Sequence, residues 1–208
     1  FIAVVISAVF VSVYCFTAGQ YAVFMTDFVQ YVLMAFGLSI LCLVSFGKII
    51  GDGNVALLQK LGEVWNKAKF TPVSEYSVTQ IIGFMITGLG AIISPLYYSR
   101  AFSAKNAKTA RDGILCSLYA MVPHDWLLVI IGIAAVVILG PAGAANADQA
   151  TLYLTANVLP VGLIGIVLSA LVAAGLSTVN SAFIAGAANF GRDLYQRFIN
   201  PNATQKQV

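Results

Sequence analysis

The residues best suited to chemistry lie near the C-terminal end. Ala174, Ser177 and Thr178 stand at i, i+3 and i+4, so a helix would carry them on one face, with Ser181 one turn further. Two hydroxyls and a backbone carbonyl on one face are hard oxygen donors, the ligand type a small cation such as Na⁺ takes. The same hydroxyls can instead bond back to carbonyls of their own helix and serve only helix packing. Asp27, in the run Thr26-Asp27-Phe28-Val29-Gln30, could attract a cation or cap the start of a helix. Gly83, Gly88, Gly90, Ser94 and Pro95 interrupt an apolar stretch. Broken helices expose backbone ends at membrane depth, where carriers bind ions and substrates, although a kinked packing helix uses the same residues. His124 and Asp125 follow Pro123 and are flanked by apolar runs on both sides. They could line a polar cavity, relay a proton, or sit near an interface beside Trp126. Adjacent helix residues point in different directions, so the two need not act together.

Other chemistries are excluded. The chain has a single His and no GxSxG, HExxH or Walker loop, so no nucleophile–base or metallohydrolase constellation exists and an enzyme is not expected. Cys15, Cys42 and Cys116 lie in or beside apolar runs with no CxxC spacing, and read as small core residues. Basic residues are scattered or confined to loops with no aromatic-bearing basic face, which excludes nucleic acid as a partner. No organic cofactor is implied.

Elements must position these groups, and the composition says which kind. Of 208 residues 60% are hydrophobic and only 9% charged, with a mean hydropathy of +0.89. Soluble domains carry roughly 25% charged residues, so this is an all-α membrane protein, a multi-span helical bundle. Residues 1–26, 28–47, 76–99, 113–124, 126–147 and 149–191 hold no Asp, Glu, Lys or Arg. About 20 apolar residues cross a hydrocarbon core of roughly 30 Å. The windows predict about five spans, at 1–16, 29–49, 78–98, 113–140 and 161–189. The short alternating segments of a membrane barrel are missing. The chain lacks an initiator Met and opens inside an apolar run, which suggests a fragment of a larger membrane protein, truncated at both ends.

Loop 99–112 carries Arg100, Lys105, Lys108 and Arg111, which places it in the cytoplasm by the positive-inside rule. Alternation then puts 17–28 and the tail from Arg192 inside, and 50–77 and 140–160 outside. The lysines of 50–77 (Lys60, Lys67, Lys69) are offset by Asp52, Glu63 and Glu75. Within that segment Val55, Leu58, Leu61 and Val64 have nearly helical spacing, which predicts an amphipathic helix over 54–69 at the extracellular mouth, or a solvated linker. Asn202-Ala203-Thr204 matches the glycosylation pattern but falls on the cytoplasmic side, and is read as a chance match.

Taken together, three stretches resemble the sodium:solute symporter family. Tyr14 to Gln30, YCFTAGQYAVFMTDFVQ, keeps Tyr14, Gly19, Ala22, Val23, Thr26, Asp27 and Gln30 of the family pattern, and departs from it at Cys15 (for Thr) and Ala18 (for Gly). Pro95 to Lys105 looks like the family's Gln-Arg cytoplasmic loop, with Ser99 in place of Gln. Ala173 to Tyr195 looks like its Ala-Ala-x-x-Ser-Thr-x-x-Ser stretch ending in Arg-Asp-Leu-Tyr. The three occur in order and cover nearly the whole chain.

The resemblance implies a leucine-transporter-type fold of two inverted five-helix repeats, of which this chain would hold core helices four to eight. It implies that Ala174, through its carbonyl, and Ser177 and Thr178, through their hydroxyls, ligate the coupling Na⁺, with further ligands from core helix one. Asp27 matches an acidic residue linked to sodium release, and Ser181 lies along the same path. Core helix six corresponds to Phe84 to Ser94, which makes Thr87, Gly88, Gly90 and Ser94 candidate substrate contacts. That stretch has no Tyr or Trp, which points away from sugars toward an amino acid, a carboxylate or a vitamin acid. The resemblance implies a sodium-coupled secondary transporter of a small organic solute, working by alternating access in a bacterial or archaeal plasma membrane. Two alternatives stay open: a transporter-like sensor module of a signalling kinase, and a proton-coupled relative titrating at His124 or Asp125.

Overall fold

The computed structural model describes residues 2–51, 55–67, 77–140 and 147–204. Asp52, Lys69, Glu75 and Lys206 lie outside them. Among the described residues the chain is helical, with no strand. The helices are α1 (Ile2–Gly51), α2 (Val55–Lys67), α3 (Val78–Ile93), α4 (Pro95–Phe102), α5 (Ala107–Leu139), α6 (Ala150–Val158) and α7 (Val161–Ala188), the last continued by a π-helical segment, Asn189–Ile199.

Three stretches are long and apolar enough to cross a membrane: Val23–Gly51, Ala107–Leu139 and Val161–Ile199. Much of their apolar surface is exposed, as in Phe28, Val32, Leu43, Leu118 and Val172. Such a surface suits lipid, and the chain is an integral membrane protein.

The expected break at 17–28 does not form, and α1 runs unbroken for 50 residues. The segment has no Pro, and its one charge, Asp27, is met by a partner on another helix, so nothing forces an end there. At 1.5 Å per residue α1 is about 75 Å long, more than twice a hydrocarbon core. The third expected span divides instead. Ser94 is a bend between α3 and α4, and Pro95 opens α4 at the first helical position, where its missing N–H costs nothing.

Caps explain other boundaries. Ser77 and Gln80 form a reciprocal cap on α3: Gln80 N donates to Ser77 Oγ (3.2 Å) and Ser77 N to Gln80 Oε1 (2.8 Å). Asn106 Oδ1 accepts from Thr109 N (2.8 Å) and starts α5 inside the basic loop, six residues before the expected span. Gly140 ends α5 at φ 61°, a backbone that favours glycine.

The main core joins Leu38, Leu41 and Ile49 of α1, Ile131, Ala134 and Val137 of α5, Leu154 of α6 and Val167 of α7. A smaller cluster joins Val11, Cys15 and Val23 of α1 to Leu176 and Ile184 of α7. Cys15 and Cys42 are buried as expected of core residues, whereas Cys116 is exposed. The amphipathic helix forms as α2, with Leu61 of the expected face on the core side and Leu57 beside it. Leu57 and Leu61 pack inward, whereas Val55 and Leu58 are exposed. Helix α6 is held to α1 by Lys48 Nζ, which donates to the Asn157 carbonyl (3.2 Å).

Candidate functional site

Helices α1, α4 and α7 line an open cavity of about 280 Å³. One wall is the α7 face expected from spacing, Ala174, Ser177, Thr178 and Ser181. The opposite wall is α1, with Asp27, Gln30, Tyr31 and Met34 at i, i+3, i+4 and i+7. Arg100 enters from α4. The structure thus brings together residues distant in sequence.

On α7 both hydroxyls point back along the helix: Ser177 Oγ donates to the Ala174 carbonyl (3.0 Å), and so does Thr178 Oγ1 (3.2 Å). Each hydroxyl oxygen keeps acceptor capacity. Three oxygens of one helical turn therefore converge, and a monovalent cation beside them would take the place of the hydroxyl hydrogens at the carbonyl. The donor set is neutral, hard and compact, the kind a small monovalent cation takes.

Asp27 anchors the second half of the site. Its carboxylate takes an ion pair from Arg100 Nη2 at 2.7 Å, with the Asp27 side chain 12% exposed and Arg100 47%. Asn180 Nδ2 donates to Asp27 Oδ1 at 3.4 Å. Ser181 Oγ lies 3.0 Å from the Ser177 carbonyl and 3.4 Å from Asp27 Oδ2, two acceptors for one proton. Arg100 donates to Ser181 Oγ as well and lies 6.0 Å from the Phe24 ring centroid. Asp27 is therefore no helix cap; it sits inside a continuous helix and neutralises a cation.

Sequence reasoning missed Asn180, Arg100 and Tyr31 as members of the site. Asn180 follows Ser177 by three residues, and Tyr31 follows Asp27 by four, so helical spacing could have found both. Arg100 counted only as a loop charge, because its partner is 73 residues away.

The other candidates stand apart. Thr87, Gly88 and Gly90 are exposed on α3, which among the described elements touches only α4. The Thr87 hydroxyl donates to the Gly83 carbonyl (2.9 Å). Ser94 lies at the α3–α4 bend, half-buried. None of the four lines the cavity. His124 Nδ1 is 3.6 Å from Asp125 Oδ1, so the neighbours do meet, with His124 15% exposed and Asp125 65%. The Tyr31 ring stands 6.4 Å from the His124 ring, and the Tyr31 hydroxyl donates to the Ala120 carbonyl of α5 (3.0 Å). Tyr31 links this pair to the cavity wall.

The sodium:solute symporter family matches residues 1–208, the whole chain. This chain belongs to the sodium:solute symporter family. It is a family of transporters, not of enzymes. The chain is 30% identical to the sodium/glucose cotransporter of Vibrio parahaemolyticus, over 94% of this chain and 41% of that protein. It is 27% identical to the osmoregulated proline transporter OpuE of Bacillus subtilis, over 95% and 40%. It is 27% identical to the sodium/proline symporter of Haemophilus influenzae, over 94% and 40%. The chain thus spans about 40% of the length of these relatives. No solved structure matches it.

Proposed function

We propose that this chain is part of a sodium-coupled symporter of a small organic solute that works by alternating access within an inverted-repeat bundle. The observation that carries the reading is the single cavity shared by Ala174, Ser177, Thr178, Ser181 and Asp27. Na⁺ binds the Ala174, Ser177 and Thr178 oxygens. On leaving toward the cytoplasm it passes Ser181 and Asp27, a carboxylate already neutralised by Arg100 and so unable to hold the ion tightly. Loop 99–112 and the tail from Arg192 are cytoplasmic in this reading, and α2 lies at the extracellular mouth. Thr87, Gly88, Gly90 and Ser94 contact the solute from α3 and the bend after it. The solute is an amino acid, a carboxylate or a vitamin acid, since Phe84 to Ser94 offers no Tyr or Trp to stack on a sugar ring. Because a sodium/glucose cotransporter is among the relatives, glucose is assayed beside proline.

The test is uptake of labelled proline and glucose by full-length protein in proteoliposomes, with Na⁺ replaced by choline, for wild type and Ser177→Ala. Uptake should need Na⁺, and Ser177→Ala should raise the half-saturating Na⁺ concentration by about tenfold or more, since even an outer-shell support of a metal site is worth that much. Uptake indifferent to Na⁺ would sink the reading. One observation favours a second reading, proton coupling: His124 Nε2 is buried without a partner among the described residues. Uptake driven by a pH gradient and abolished in His124→Gln would establish it.

A further inference from the structure

Helices α1 and α7 run antiparallel in one register. Gly37 lies against Ala170, and Asp27 lies against Asn180 and Ser181. Ten residues separate Asp27 from Gly37, and ten separate Ala170 from Asn180, so the two faces advance together. Gln30 and Ser177, which both line the cavity, fall in the same register. On α1 the shared face reads Asp27, Gln30, Met34, Gly37 and Leu41, alternating three- and four-residue steps.

The approach at Gly37 is closer than a side chain permits. A Cβ on Gly37 would stand 2.6 Å from Ala170 Cβ and 3.5 Å from the Ile166 carbonyl oxygen. Neither methyl could rotate away, and Ala170 is fully buried. The backbones would have to part by roughly 0.8 Å to bring that contact to an ordinary 3.4 Å. Gln30 is seven residues, about 10 Å, along a stiff helix from this point. Parting the helices therefore widens the cavity where its walls face each other.

We propose that Gly37 is a positioning residue for the sodium site: its missing side chain sets the α1–α7 separation that holds Asp27 and Gln30 opposite the Ala174, Ser177 and Thr178 oxygens. The proposal rests on the sodium reading above. Cation–oxygen distances span only a few tenths of an ångström, so a wider separation is read as weaker and less selective ion binding, beyond any loss of packing.

The experiment is ²²Na⁺ binding to purified full-length protein, with Li⁺ as competitor, for wild type, Gly37→Ala, Ala170→Gly and the double variant. Gly37→Ala should raise the half-saturating Na⁺ about tenfold and reduce discrimination against Li⁺, the size of effect seen when outer-shell supports of a metal site are lost. Removing the Ala170 methyl reopens the space, so the double variant should recover to within about twofold of wild type. A folded Gly37→Ala with wild-type binding, or a double variant as weak as Gly37→Ala, overturns the proposal. If Gly37→Ala does not fold, the double variant decides alone: wild-type-like binding supports the proposal and weak binding overturns it. If the wild-type protein binds no ²²Na⁺, the sodium reading falls and takes this proposal with it, a result distinct from unchanged binding in Gly37→Ala.

Discussion

At the scale of single residues, the site is a set of oxygens arranged by helix geometry beside a carboxylate whose charge is already spoken for. Breaking the Asp27–Arg100 pair from one side leaves a cation or an anion without its partner, and that costs more than removing both. Asp27→Asn and Arg100→Gln should each lower thermal stability, and the double variant should be more stable than the sum of the two losses implies. The coupling should be on the order of 1 kcal/mol, because water screens the half-exposed Arg100. Additive losses across the cycle would show that the two charges do not sense each other. The α7 half of this site was legible in the sequence, because i, i+3 and i+4 spacing puts Ala174, Ser177 and Thr178 on one face whatever surrounds them. Asp27 was legible as a carboxylate that could attract a cation or cap a helix, and the family motif linked it to sodium release. Arg100 was not legible, since only the packing of α4 against α5 and α7 brings its side chain within reach of Asp27.

At the scale of elements, two helix ends rest on identifiable atoms. Ser77→Ala removes the hydroxyl that receives Gln80 N and should destabilise α3 by about 1 kcal/mol, seen as faster hydrogen exchange at its first turn. Gly140→Ala forces a side chain onto φ 61° and ψ −144°, a region essentially reserved for glycine, and should cost about 1–3 kcal/mol in thermal unfolding. An unchanged melting profile for Gly140→Ala would mean that the chain reshapes there at no cost. The interruption of the apolar stretch at Ser94 and Pro95 was legible, because a proline favours a helix start, but its division of the expected span 78–98 into two helices was not. Elements were not legible where a boundary was inferred from charge alone. Asp27 marks the edge of an uncharged window, yet an ion pair lets a helix continue through it. On α2 the expected face of Val55, Leu58, Leu61 and Val64 was right at Leu61, which meets the core, and wrong at Val55 and Leu58, whose place Leu57 takes.

At the scale of the whole molecule, ligand binding and topology give separate expectations. A ligand that binds only the folded protein stabilises it by about 2.7 kcal/mol at 100 times its Kd. Full-length protein should therefore melt higher in Na⁺ than in choline, and Ser177→Ala should erase most of the difference. Equal melting in both salts would contradict a sodium site. In a cysteine-free background, Ser103→Cys should react with an impermeant maleimide only from the cytoplasmic side, and labelling from outside would invert the proposed topology.

The length of α1 has a consequence that reaches beyond its own packing. Asp27 is tied to α4 through Arg100, and Lys48 is tied to the end of α6 through the Asn157 carbonyl. Twenty-one residues of unbroken helix separate the two ties, about 32 Å, close to one hydrocarbon thickness. A single rod thus holds the Asp27–Arg100 pair and the Lys48–Asn157 contact at a fixed spacing of about one hydrocarbon thickness.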